Sequence, residues 1–301
     1  MKKTVPGKAS LSVTEQTALH VSSVSLIINL ALSILKLLAG IIASSGAMVS
    51  DSVHSASDVF STIIVMIGVH LSEMEADHEH PYGHERLECV AAFILSVMLA
   101  GTGAFIGYQG LLKILRSGEE AAAVPGLLAL LAALLSISVK EWMYHYTIRA
   151  AKKIHSGALK ADAWHHRSDA LSSIGALVGI FFARAGFPLM DPIASIIICL
   201  FIFKSALDIF RDAMDKMVDR ACPDETVHAM QELILAQSDV SDIVWMKTRQ
   251  FGARSYVDVT IAVDGSKSLT AAHEIAAQVH DQIESHFPDV KHCMVHEDPQ
   301  S

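Results

Sequence analysis

The chain has 301 residues, of which 51% are hydrophobic and only 18% charged, and its mean hydropathy is +0.40. That balance is too apolar for an ordinary soluble domain and suits a membrane protein with a soluble part. The net charge of -9 and the lack of a basic arm argue against a nucleic-acid partner.

Cys89, Cys199, Cys222 and Cys293 lack paired spacing, so they read as packing residues rather than as a disulfide framework or a Cys-type zinc site. The N-terminus is polar and shows no removable signal peptide, which leaves targeting to the first helix.

A spanning helix needs about 20 mainly apolar residues, and six stretches qualify: 17–43, 47–72, 87–115, 122–148, 160–184 and 189–211. Residues 1–16 form an N-terminal segment, 17–211 a six-helix transmembrane domain and 212–301 a soluble domain. The turns at Ser44, Ser45 and Gly46 and at Gly186, Phe187 and Pro188 carry almost no positive charge. By contrast Lys2, Lys3 and Lys8, and the connection with Arg149, Lys152, Lys153 and Lys160, are basic. The positive-inside rule then places both termini in the cytoplasm.

Within the second and fifth stretches stand two pairs at i, i+4 spacing, His54 with Asp58 and His165 with Asp169. A charge at the bilayer centre costs at least roughly 2.5 to 3.5 kcal/mol, so four such groups need a compensating partner. Residues four apart lie about 5 to 6 Å from one another on one helix face. Two facing pairs therefore supply four ligands around one cation, and imidazole with carboxylate suits tetrahedral zinc. Antiparallel helices bring the pairs to comparable depth near the midplane, where transporter sites are expected. Asp51 and Asp162 precede the histidines by one turn as outer partners, access-path residues or helix-end groups.

The loop from Asp77 to Arg86 holds His78, His80 and His84 among carboxylates, which suggests a second metal site or a solvated charge run. Lys36 is expected to snorkel or to neutralise a carboxylate, with a role in the proton or ion path as the alternative. Lys140 and Glu141 look interfacial, beside an aromatic belt of Trp142, Tyr144 and Tyr146.

The soluble domain reads as an αββαβ unit. A helix after Pro223 shows Val227, Met230, Leu233 and Ile234 on one face. Strands follow at 243–250 and 255–264, the second with Val257, Val259, Ile261 and Val263 alternating. A helix over 269–287 and a strand over 290–296 complete it.

The stretch from Ser50 to Asp58, the loop His80-Pro81-Tyr82-Gly83-His84, and the stretch from Ala161 to Asp169 together resemble the cation diffusion facilitator family, over nearly the whole chain. The resemblance implies proton-coupled export of divalent metals by six transmembrane helices followed by a small metallochaperone-like α+β cytoplasmic domain that dimerises. It implies a transport site of His54, Asp58, His165 and Asp169, a loop site of Asp77, His80 and His84, and a cytoplasmic cluster using His273, His296 and Asp298. Arg86 and Asp219 match positions of a family salt bridge. Val244 and Thr260 depart from the pattern, since zinc-clustering relatives carry histidine there. His228, His280, His286 and His292 could substitute, though histidine is also common at surfaces.

The expected activity is efflux of zinc against protons through alternating access, from a homodimer in the cell membrane, surrounded by lipid and without an organic cofactor. Iron or manganese export is the alternative, as is a metal-sensing scaffold with little transport. An intramembrane metallohydrolase lacks its His-Glu-x-x-His motif.

Overall fold

The computed structural model describes residues 13–42, 46–115, 127–184 and 190–300. Its elements are α1 (Val13–Ile42), α2 (Gly46–Ser72), α3 (Arg86–Leu115), α4 (Leu127–Lys153), α5 (Gly157–Arg184), α6 (Met190–Met217), α7 (Asp224–Leu235), β1 (Asp242–Phe251), β2 (Arg254–Asp264), α8 (Leu269–His286) and β3 (Val290–Gln300). The N-terminal lysines, residues 44, 45 and 186–188, and the side chains of Asp51 and His54 lie outside the described residues. Internal packing divides the chain into two units, 1–213 and 214–301.

Helix α1 explains how the first unit is built, because its polarity is inside out. Ser22, Ser25, Asn29, Ser33 and Lys36 are buried, while Ile27, Leu30, Ile34, Leu38 and Ile41 are exposed. In water such an exterior would be a large apolar patch. In lipid it is the stable arrangement, since small polar side chains then hold helices together by hydrogen bonds. Ser25 and Thr147 make one such contact at 3.5 Å between α1 and α4. Exposed Phe105 and Leu111 on α3 and Leu200, Phe201 and Leu207 on α6 continue the apolar exterior.

Among the described residues, Val13–Leu38 and Arg86–Leu112 are long and apolar enough to cross a membrane by hydropathy alone. Helices α2, α4 and α5 carry Asp58, Lys140, Asp162 and Asp169 in their buried faces, which lowers their mean hydropathy without exposing charge.

Helix α1 packs on α2, α4 on α5, and α5 also meets α2 and α3. Close approach needs small residues. A Cβ on Gly68 would collide with the Ala91 Cβ, and one on Gly107 would lie 2.6 Å from Cys199 Sγ, so α2–α3 and α3–α6 contacts both depend on glycine.

The second unit is the αββαβ fold expected from its alternation. Strands β1 and β2 form an antiparallel hairpin, closed by a two-residue turn in which Gly252 takes φ 56°. That positive φ at the first turn position suits the right-handed twist of the flanking strands. Helix α8 then crosses back so that β3 pairs parallel to β2. The core joins Met230 and Ile234 of α7, Val257, Val259, Ile261 and Val263 of β2, and Ile275, Val279 and Ile283 of α8. Strand β3 runs on to Gln300, further than its apolar pattern indicates, because Asp298, Pro299 and Gln300 still pair with β2. Pro299 is tolerated there since β3 is an edge strand.

Candidate metal sites

The α4–α5 connection sets the geometry inside the helical unit. Helix α4 ends near Lys153, His155 takes the left-handed conformation at φ 53°, and Ser156 Oγ caps α5 by accepting from Leu159 N–H at 3.2 Å. Lys140 lies 15 residues before His155 and Asp169 lies 14 after it. A helical hairpin therefore brings them to one depth, and Lys140 Nζ donates to Asp169 Oδ2 at 3.0 Å.

Helix α2 supplies the third member, since Lys140 Nζ also donates to Asp58 Oδ2 at 2.5 Å. His165 Nε2 lies 3.3 Å from Asp58 Oδ1. One ligand atom from each of Asp58, His165 and Asp169 falls within 4.8 Å of the others, and all three residues are buried. Two carboxylates and an imidazole gathered in a buried cluster can hold a cation, and here the Lys140 ammonium bonds both carboxylates.

His54 stands one turn before Asp58 on α2, with its side chain outside the described residues. Asp162 is fully buried rather than at a wet helix end: Thr62 Oγ1 donates to Asp162 Oδ1 at 3.4 Å, and His166 Nε2 lies 3.5 Å from Oδ2.

Two lysines are buried within the bundle. Lys140 is not interfacial but 2% exposed, because it faces the bundle while Trp142 faces outward. Lys36 does not snorkel; it is buried and donates to Ser55 Oγ at 2.9 Å. Glu141 stays near the surface beside His145 and Arg167.

The loop residues Asp77, His80 and His84 also converge, with ligand atoms within 4.8 Å of one another. The local chain folds this way because Asp77 Oδ1 accepts the amides of Glu79 at 2.9 Å and His80 at 2.7 Å. Gly83, at φ 99°, then turns the chain so that the His80 and His84 rings lie 4.5 Å apart. The His80 amide holds the Asp77 carboxyl below its usual range. Such a lowered carboxyl supports the turn above its unfolded pKa, and that support is lost as pH falls through the folded value. Asp77→Asn, in the full chain with Asp58→Asn, is expected to weaken cadmium binding at the loop at least about tenfold. Unchanged affinity in that titration would remove Asp77 from the ligand set.

In the soluble unit His296 Nε2 and Asp298 Oδ1 lie 3.4 Å apart, with His296 exposed and Asp298 half-buried. Among the described residues His273 joins no three-residue ligand group with them. Thr260 is buried opposite His296, and Val244 is half-exposed. Trp245 is 45% exposed with Lys247 Nζ 5.4 Å over its ring, so it does not fill the core. Arg86 opens α3, and Asp219 follows α6 in a left-handed conformation at φ 64°. The four cysteines form no disulfide with one another, and burial pushes the Cys293 thiol up to about 12, so it stays neutral.

Comparison with known proteins agrees with this architecture. Residues 22–218 match the cation efflux transmembrane domain and residues 222–300 the cation efflux protein cytoplasmic domain. The chain is similar to Metal tolerance protein C1 of Arabidopsis thaliana, at 34% identity over 90% of this chain and 60% of that protein's own length. It is 36% identical to an uncharacterized transporter of Methanocaldococcus jannaschii over 91% of this chain and 95% of that one. The manganese efflux system protein MneP of Bacillus subtilis is 29% identical over 96% and 98%. A solved MamM CTD in cadmium form covers 26% of this chain and 98% of its own, at 17% identity and a TM-score of 0.25. The chain therefore belongs to the cation diffusion facilitator, or cation efflux, family, whose members are membrane transporters and not enzymes.

Proposed function

We propose that this protein exports a divalent metal, zinc first, from the cytoplasm in exchange for protons, with His54, Asp58, His165 and Asp169 as the transport site. The observation that carries the reading is the convergence of Asp58, His165 and Asp169 within 4.8 Å inside a bundle whose exterior is apolar. A buried cluster of ionisable groups in a membrane marks an ion path. We assign His54, one turn before Asp58 in the sequence, as the fourth ligand, which makes two nitrogens and two oxygens, the set that tetrahedral zinc accepts.

Metal binds only deprotonated ligands, so loading releases protons and reprotonation expels the ion. Imidazole is suited to that exchange because it titrates near pH ~6.5 when unperturbed. The bundle then exposes the site alternately to each side by rocking helices about a fixed centre. We assign residues 17–211 to the membrane and 212–301 to a cytoplasmic domain that pairs two copies, with both termini cytoplasmic in the cell membrane. His273, His296 and Asp298 are assigned to a regulatory metal of that domain, and Asp77, His80 and His84 to the loop site.

Manganese or iron is a second reading, favoured by the manganese efflux relative and by the two carboxylates among the three described ligands. The test is flux of zinc, manganese and ferrous iron into proteoliposomes under an imposed pH gradient. Zinc flux that rises with the gradient is expected; manganese flux exceeding it would transfer the assignment. Gradient-independent flux would sink the antiport reading, and no flux of any of the three metals would favour a sensing scaffold. Replacing both His54 and His165 by Asp is expected to shift selectivity toward manganese at least about tenfold, read from competition between the two ions.

A further inference from the structure

We infer that the soluble unit carries an additional metal site, built by His280 and Glu284 of α8 with His292 of β3, which takes a late first-row divalent cation such as zinc, cobalt or nickel. It is distinct from the positions His273, His296 and Asp298 and does not depend on the transport reading.

One ligand atom from each of the three residues lies within 4.8 Å of the others. Both imidazoles meet one carboxylate oxygen: His280 Nε2 and His292 Nδ1 are each 3.3 Å from Glu284 Oε1. Their ring centroids stand 5.5 Å apart at 70°. The group is half-buried and open to water on one side, with side chains between 30% and 50% exposed. Spacing of four residues puts His280 and Glu284 on one face of α8.

Strand β3 delivers the third ligand through an irregular register. Ser255 pairs with Val290 but Tyr256 pairs with His292, so Lys291 is an extra residue in the ladder. The bulge keeps Val290 and Cys293 both buried and leaves His292 at the surface beside α8.

A second observation separates this group from a chance meeting of surface residues. The backbone of Cys293 holds two of the ligands in orientation. Its carbonyl accepts from His280 Nδ1 at 2.7 Å, which fixes the tautomer and leaves Nε2 as the coordinating nitrogen. Its amide donates to Glu284 Oε1 at 3.0 Å. A ligating histidine whose other nitrogen donates to a carbonyl, with a hydrogen-bonded carboxylate beside it, is the outer arrangement that tunes metal sites. Two imidazoles and a carboxylate give three protein ligands, with a fourth position left for water or another donor. An ion there ties edge strand β3 to α8.

The test uses the full-length chain in detergent, in an Asp58→Asn/Asp169→Asn background that removes the bundle site. Cobalt is titrated into this protein and into the same protein with His280→Ala and His292→Ala. One fewer ion per chain in the variant, with loss of part of the visible cobalt absorption, is expected; an equal count and an unchanged spectrum overturn the site. Glu284→Gln retains an acceptor for the Cys293 amide, so it guards against a folding defect. It is expected to keep the metal-free melting temperature and to weaken cobalt binding at least tenfold. Zinc should also slow amide exchange across residues 290–300 in the parent and not in the histidine variant. The same protection in both proteins would assign it to another site and refute the clip.

Discussion

Asp58→Asn or Asp169→Asn is expected to cut gradient-driven metal flux by at least about a hundredfold. Loss of an outer partner alone typically weakens metal sites 10 to 100-fold, and these residues would contact the ion itself. Asn keeps the volume and one oxygen, so the variant isolates the charge from packing. A structural cost accompanies the change, because Lys140 would keep one carboxylate where it now bonds two. Removing one partner of a buried pair costs roughly 3 to 5 kcal/mol. Melting temperature and monodispersity should therefore be measured beside flux. A folded variant with near-normal flux would exclude these carboxylates from the transport site, whereas one that loses flux but still binds cadmium at Asp77, His80 and His84 separates transport from the loop.

The parts of the architecture that depend on local period were legible in the chain. Six apolar stretches gave six helices, and the alternation at Val257, Val259, Ile261 and Val263 gave the central strand. The spacing of His165 and Asp169 pointed to a candidate cation site because such groups are costly in a membrane. Lys140 was misread for a physical reason. Its sequence neighbours Trp142, Tyr144 and Tyr146 suggest an interface, but Trp142 faces outward while Lys140 and Tyr144 face inward, and periodicity alone does not rank those faces. Its near-equal separation with Asp169 from the α4–α5 turn was the available signal. His280 and Glu284 were likewise readable as one helix face. Their convergence with His292 depends on a parallel strand pairing and a bulge at Lys291, and neither leaves a local trace.

Lys140→Met is expected to tighten metal binding at the bundle site by about ten to a hundredfold while slowing turnover. The ammonium bonds Asp58 and Asp169 together, in the gap a divalent ion would enter. Two unit charges 4 Å apart repel by about 4 kcal/mol at an effective dielectric of 20, and a divalent ion doubles that. Ammonium and metal therefore cannot share the two carboxylates, and each must displace the other. Under the proposed transport reading, displacing the resident ammonium would be subtracted from metal affinity, and its return would help eject the metal on the far side. Methionine keeps an unbranched stem of similar length without charge, which removes the competitor and leaves two facing carboxylates uncompensated. Without metal the variant should melt at a lower temperature than the parent, and zinc should raise its melting point by more than it raises the parent's. Slower flux together with tighter binding would establish Lys140 as the counter-ion that alternates with the cargo. Weaker binding with the same loss of stability would reduce it to a positioning residue for Asp58 and Asp169.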